Sequence, residues 1–320
     1  MIVVLGAFDG YHRGHQRLLV RASALAEREG VPWSVVSFTP HPRWVLSGGQ
    51  MPLLFTDEEK ERIAAFLGIP RVHSLLFSPD LSSMAPEEFF QYLDSHIGLS
   101  GVVVGHDFRF GRARLGNPEV LQKLCRMRGI PLEVVSPFKL EGTVVSSTGI
   151  RDLLLRGDVY RVRTFLGYPF FMTCSVIRGR GRGRFMAVPT ANLKVPESKA
   201  LPASGVYAGK AIVDERISAA AISVGINPTF GDVTVPQVEV HLVDFDGDLY
   251  DRRLTVFLYH RLRASQRFDD PGCLSRQIRL DVEQTRRLFQ SENDEEMPVF
   301  WLCRRFLPQN GGLFLTTRHR

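Results

Sequence analysis

From Ile2 to Val135 short apolar runs alternate with longer stretches whose apolar residues recur at helical spacing, and this alternation constrains the fold more than any other feature. The runs are Ile2–Leu5, Trp33–Phe38, Val72–Phe77, Gly101–Val104 and Leu132–Val135. Between the first two, Leu18, Leu19, Ala22, Leu25 and Ala26 fall on one helical face, and Gly30 supplies a stop. Thr56-Asp57-Glu58-Glu59 is a capping box that opens a helix ending at Gly68. Pro86 starts another helix, and Asn117-Pro118-Glu119 caps one that stops at Gly129. Strands alternating with helices predict a parallel sheet covered on both faces, with ligands beyond the carboxyl ends of its strands.

After about Arg156 the pattern changes. Val206–Val213, Ala219–Val224, Val238–Phe245 and Leu254–Tyr259 alternate with period two, separated by Gly, Pro, Asn and Asp clusters. They predict a small antiparallel β-barrel. A C-terminal helix carrying Leu274, Ile278, Val282 and Phe289 is expected to pack against it. The expected domains are 1–157 and 165–290, with a poorly ordered tail over 291–320.

Composition narrows the class. The 320 residues are 44% hydrophobic and 23% charged, with a net charge of +6. That is an ordinary globular balance, and the basic excess suits an enzyme handling phosphate esters as well as it suits a nucleic-acid binder. Four cysteines, Cys125, Cys174, Cys273 and Cys303, lie far apart with no Cys-x-x-Cys pair. No zinc or thiol-redox motif is indicated, and thin cysteine use fits a reducing, cytoplasmic setting. The opening apolar run is too short for a signal peptide or a membrane span. The oligomeric state is not legible.

Gly6-Ala7-Phe8-Asp9-Gly10-Tyr11-His12-Arg13-Gly14-His15 joins the first strand to the first helix. Such a turn presents backbone N–H groups and the positive end of a helix to an anion. His12 and His15, three apart, face the same way on a helical turn, and Gly14 allows close approach of a phosphate. A lone histidine reads as a loop or core residue; His-x-Gly-His after an opening strand reads as charge stabilisation at phosphorus. Ser146-Ser147-Thr148 follows the last strand of the sheet. Alone it is a helix cap, but with Arg151, expected on the first helical turn, it also fits a departing pyrophosphate.

In the second half, the run Arg178–Arg184 alternates arginine with Gly179, Gly181 and Gly183. It can be an RNA-binding segment or a flap over ATP phosphates, and no Walker A loop occurs to provide another phosphate device. Thr190 and Asn192 offer oxygens suited to magnesium, or form a simple turn. Glu239 lies opposite the apolar residues of its strand, together with His241; it is either a solvated outer residue or a carboxylate for an alcohol-phosphorylating step.

His-x-Gly-His with Ser-Ser-Thr-x-x-Arg resembles the nucleotidylyltransferase superfamily, and the chain as a whole resembles the prokaryotic bifunctional riboflavin kinase/FAD synthetase family. Phe38-Thr39-Pro40-His41-Pro42 and Gly105-His106-Asp107-Phe108-Arg109-Phe110-Gly111 match that family's first half. Pro189–Asn192, Gly205-Val206-Tyr207, Asn227-Pro228-Thr229-Phe230 and Glu239 before Leu242-Val243-Asp244-Phe245 match its second. The resemblance implies a Rossmann-like adenylyltransferase domain followed by a β-barrel riboflavin kinase. It implies ATP-phosphate contacts from Gly6, Phe8, Asp9, Gly14, Ser146, Ser147, Thr148, Gly179, Gly181 and Gly183, with His12, His15 and Arg151 catalytic. Asp107, Phe108, Arg109, Phe230 and Arg263 are implied near flavin, Thr190 and Asn192 at Mg-ATP, and Glu239 as base on the ribityl hydroxyl. The expected partners are riboflavin, FMN and ATP, with Mg2+, and neither nucleic acid nor membrane.

Ala187 and Val188 stand where the family often has Gly-Phe, Asp251 where Gly is common, and Ser265 where an acid often follows. These departures fall in the kinase half. An adenylyltransferase for another phosphorylated compound accounts for the histidines but gives Thr190, Asn192 and Glu239 nothing to do. A nucleic-acid binder leaves the two histidines idle.

Overall fold

The computed structural model describes residues 1–178, 189–214, 216–225, 237–268 and 270–290. They belong to two compact units, the first running from Met1 to Ser147 and the second starting at Thr148.

The first unit alternates as expected. Its elements are β1 (Ile2–Leu5), α1 (Arg13–Glu29), β2 (Trp33–Thr39), α2 (Pro42–Leu46), α3 (Asp57–Phe66), β3 (Val72–Leu76), α4 (Pro79–Ser83), α5 (Pro86–Ile97), β4 (Gly101–Gly105), α6 (Pro118–Arg128) and β5 (Leu132–Val135). A short hairpin, β6 (Lys139–Leu140) and β7 (Thr143–Val144), leads to α7 (Ser147–Arg156). The five strands form one parallel sheet in the order β3-β2-β1-β4-β5. Ile2–Val4 and Val102–Val104 are fully buried, as strands covered on both faces must be. Gly101 pairs with Ile2, and a Cβ there would meet the Ile2 side chain at 2.7 Å, so glycine keeps these strands in register. The order reverses between β1 and β4, and the crevice at their carboxyl ends is the ligand position of such a sheet.

Local signals explain the helix ends. Gly30 and Gly129 take the left-handed conformation that ends α1 and α6. Thr56 and Glu59 form the reciprocal capping box of α3, and Asn117 caps α6. The five-residue helices α2 and α4 are too short for periodicity to reveal.

The second unit continues with α8 (Val159–Leu166), β8 (Phe170–Ile177), β9 (Ala191–Lys194), β10 (Gly205–Val213), β11 (Arg216–Gly225), β12 (Gln237–Leu242), β13 (Arg253–Ala264) and α9 (Pro271–Phe289). The strands close as an antiparallel barrel in the order β10-β11-β12-β9-β8-β13. The apolar run expected over Val238–Phe245 ends earlier, at Leu242; Asp244 then takes φ 56°, which turns the chain. Helix α9 buries Leu274, Asp281, Thr285 and Phe289, and Phe289 meets Tyr259 edge-on with ring centroids 5.5 Å apart. No described helix is long and apolar enough to cross a membrane.

Barrel closure brings β10 and β13 so close that a Cβ on Gly209 would overlap the Phe257 carbonyl oxygen and lie 2.8 Å from Ile222. Gly209→Ala is therefore expected to destabilise the second unit by about 2–3 kcal/mol, read as an earlier denaturant midpoint for the barrel's transition. An unchanged midpoint would mean the strands can part without cost.

Candidate functional sites

After β1 the backbone leaves the sheet through a tightly wound turn. Phe8, Gly10 and Tyr11 all have positive φ, at 47°, 93° and 35°. The Phe8 and Tyr11 rings are buried and stacked, 5.3 Å apart and 11° from parallel. The buried Asp9 carboxylate accepts the Leu54 N–H at 3.0 Å and the Phe55 N–H at 3.4 Å. These bonds tie the turn to the loop before α3, so this side chain braces the turn. Gln16 adds a 2.8 Å hydrogen bond to the Tyr11 carbonyl.

This turn delivers His12 to the N-cap of α1. Its Nδ1 accepts the His15 N–H at 3.3 Å, which leaves Nε2 to carry the proton of the neutral ring. The His12 and His15 rings stack with centroids 3.6 Å apart and planes 16° from parallel. Phe8 meets His15 edge-on at 5.2 Å. His15 Nδ1 is enclosed with no hydrogen-bond partner among the described residues. Burial first, then the fields of His12 and His41, hold the His15 pKa well below the ordinary imidazole value. The stacked pair lies beside the positive end of a 17-residue helix, with burial favouring the neutral form of His15. A Cβ on Gly14 would lie 3.1 Å from the His12 ring and 3.3 Å from the Val145 carbonyl oxygen, so only glycine leaves the stack undisturbed.

His41, two residues beyond β2, is a site residue to which sequence reasoning gave no role. It is buried and N-caps α2, its Nδ1 accepting the Arg43 N–H at 3.2 Å. The signal was present: a histidine directly before a proline at a helix start. Ser147 donates its hydroxyl to the Asp9 carbonyl at 2.8 Å, joining the Ser146-Ser147-Thr148 segment to the turn. Helix α7 starts at Ser147, so Arg151 is the fifth helical residue and lies just past the first turn where it was expected; it is buried.

At the carboxyl end of β4, Asp107 and Arg109 are exposed, and Phe108 stacks on the buried Phe110 with centroids 5.5 Å apart.

In the barrel, register decides which groups meet. Glu239 of β12 is paired with Asn192 of β9 on one side and Ser223 of β11 on the other. Val238, Val240 and Leu242 are buried, so Glu239 and His241 face the other way, as the alternation predicted. Cross-strand partners have Cβ atoms roughly 4.5–5.5 Å apart, so Glu239 and Asn192 present oxygens to one spot. His241 Nδ1 lies 2.8 Å from the Pro189 carbonyl oxygen, a hydrogen bond that ties down the segment leading to Thr190 and Asn192. Threonine, asparagine and carboxylate oxygens with nucleotide phosphates suit a hard cation such as Mg2+. Among the described residues no group of three or more His, Cys, Asp and Glu forms a metal centre. Gly179, Gly181, Gly183, Phe230, Ala187 and Val188 lie outside the described residues.

Arg263, expected near flavin, spends its guanidinium elsewhere. It forks onto the buried Asp281 of α9, with Nη2 at 2.8 Å and Nε at 3.0 Å, and Gln277 supports the same carboxylate at 3.0 Å. A buried carboxylate requires such pairing, so Arg263 ties α9 to the barrel.

The chain matches a family model for FAD synthetase over residues 1–149 and one for riboflavin kinase over residues 166–289. Bifunctional riboflavin kinase/FMN adenylyltransferase of Pseudomonas fluorescens is 35% identical over 90% of this chain and 92% of its own length. The protein of the same description from Listeria monocytogenes is 31% identical over 92% of this chain and 94% of its own. A crystal structure described as a macrolide-efflux protein from Streptococcus pneumoniae superposes with a TM-score of 0.80, is 31% identical, and covers 89% of this chain and 93% of that one. Two consecutive catalytic families, matched in order and along nearly the full length of the relatives, place the chain in the bifunctional riboflavin kinase/FMN adenylyltransferase family, which phosphorylates riboflavin to FMN and adenylylates FMN to FAD.

Proposed function

We propose that the stacked His12–His15 pair carries the adenylyl transfer and that Glu239 carries the kinase step. The stacked histidine pair at the start of α1 is the observation that supports this reading most directly. In adenylyl transfer an FMN phosphate oxygen attacks the α-phosphorus of ATP, and the bond to the pyrophosphate oxygen breaks. Negative charge shifts toward the transferring and leaving groups. The two imidazoles and the first-turn amides of α1 stabilise that charge with little reorganisation. Gly6 and Gly14 leave room for the phosphates, and Phe8 and Asp9 act by holding the turn. Ser146, Ser147, Thr148 and Arg151 complete the phosphate contacts, and Asp107, Phe108 and Arg109 border the flavin.

In the kinase step Glu239 accepts the ribityl hydroxyl proton as that oxygen attacks the γ-phosphorus, and ADP departs. Thr190 and Asn192 hold Mg2+, which, when bound, neutralises phosphate charge. Residues 1–157 and 165–290 are the two catalytic domains, acting on riboflavin, FMN and ATP in the cytoplasm without nucleic acid. The exposed residues bordering β4 and the magnesium assignment rest on the family resemblance together with the donor chemistry described above.

Incubating the protein with riboflavin, ATP and magnesium and separating the flavins over time tests both assignments. His15→Ala is expected to slow FAD formation from FMN by about 10²–10³-fold, while riboflavin is still phosphorylated. Glu239→Gln is expected to slow FMN formation by about 10²–10⁴-fold, while added FMN still becomes FAD. Parallel loss of both steps in either variant would defeat the division of labour.

The depressed His15 pKa has a second consequence. Unfolded His15 takes a proton below about pH 6.5, whereas the folded residue resists it, so folding stability falls as pH drops through that value toward the folded pKa. His15→Gln should flatten this acid-side loss in melting temperature between neutral and mildly acidic pH. An unaltered slope would mean that His15 is not the group responsible.

A further inference from the structure

The connection from β4 to α6 contains a small closed loop. Phe110 and Gly116 pair across its neck through reciprocal backbone hydrogen bonds of 3.1 and 2.9 Å. Glycine is required at the neck, because a Cβ on Gly116 would lie 2.6 Å from the Phe110 ring. The buried Phe110 anchors the loop to the sheet core, 5.8 Å from Phe89. On the opposite side the Arg112 N–H donates to the Met84 carbonyl at 2.7 Å.

Within this frame the backbone is strained. Gly111, Ala113 and Arg114 all have positive φ, at 69°, 51° and 61°, and two of the three are not glycine. Left-handed residues with a Cβ are costly, and such costs persist where the surroundings impose them, chiefly at sites that bind or react. What the loop presents is two guanidinium groups, Arg112 and Arg114, both exposed and neither in an ion pair among the described residues. Arg21, Arg62 and Arg128 of the same unit are each matched to a carboxylate. Leu115 beside them is 62% exposed. The loop springs from the carboxyl end of β4, which pairs with β1, the strand that leads into the histidine turn. Asp107 and Glu119 are the carboxylates nearest in sequence, and Arg109, Arg112 and Arg114 outnumber them.

We propose that Arg112 and Arg114 form a preformed clasp for a substrate phosphate group during adenylyl transfer, a binding role distinct from the flavin contacts assigned to Asp107, Phe108 and Arg109. The proposal rests on the family's FMN adenylyltransferase activity. Both substrates of that step carry phosphate: FMN a monophosphate, ATP a polyphosphate. A rigid loop holding two forked donors has its ordering cost already met before the anion arrives.

The test is steady-state kinetics of FAD formation by the full chain, varying FMN and ATP separately, in the parent, Arg112→Ala, Arg114→Ala and the double variant. The double variant is expected to raise KM for one of the two substrates about tenfold or more, with kcat changed far less. The substrate whose KM moves identifies the phosphate that the clasp holds. A double Arg→Lys variant, which keeps charge but loses the fork, should fall between. A kcat for FAD formation close to the parent's reports an intact first unit in the same preparations. KM values for both substrates within about twofold of the parent overturn the clasp. Failure of the parent itself to convert FMN to FAD would instead sink the activity on which the proposal rests, and the clasp with it.

Discussion

The adenylyl-transfer half depends on one carboxylate. Asp9 is buried, and its carboxyl group is tolerable there because the Leu54 and Phe55 amides point at it. That bond set joins the turn after β1 to the loop before α3. It holds Phe8 and Tyr11 in left-handed conformations they would not adopt unaided. Those conformations direct the chain so that His12 arrives at the cap of α1 with Nδ1 occupied by the His15 N–H. Remove the carboxylate, and the stacked histidines lose the scaffold that aims them.

Most of this half was legible in the sequence because its signals are local. Strand runs, capping residues and stop glycines each act within a few residues, and all five strands fall within one residue of where the pattern puts them. Helical spacing suggests that His12 and His15 face the same way, although His12 is the non-helical N-cap and the turn before α1 also positions it. What spacing does not encode is long-range satisfaction of charge. Asp9 reads as a loop acid beside a phosphate site, yet its partners lie 45 and 46 residues away. Arg263 reads as a ligand-binding arginine until a buried Asp281 on α9 claims it. Helix α8 escaped notice because eight residues span little more than two turns and give periodicity little to work on.

The barrel shows the converse. Alternation in Val238–Leu242 says which face Glu239 takes, but only the pairing of β12 with β9 and β11 says what stands beside it. Strand register is a tertiary property, and a one-residue slip would send Glu239 to the core face. The hydrogen bond between His241 and Pro189 reinforces the register at that point, coupling the strand that carries the acid to the segment that carries Thr190 and Asn192.

The enclosure of His15 also bears on the proton inventory of the enzyme. A ring kept neutral by burial becomes easier to protonate once an anion lies against it, and linkage makes the effect reciprocal: a protonated ring holds the anion more tightly. Were nucleotide to bind at α1 as proposed, its binding would be coupled to proton uptake from the buffer. The heat of binding should accordingly vary with the ionisation enthalpy of the buffer chosen, and affinity for the phosphate chain should rise as the medium becomes mildly acidic, down to the point at which the fold itself begins to yield.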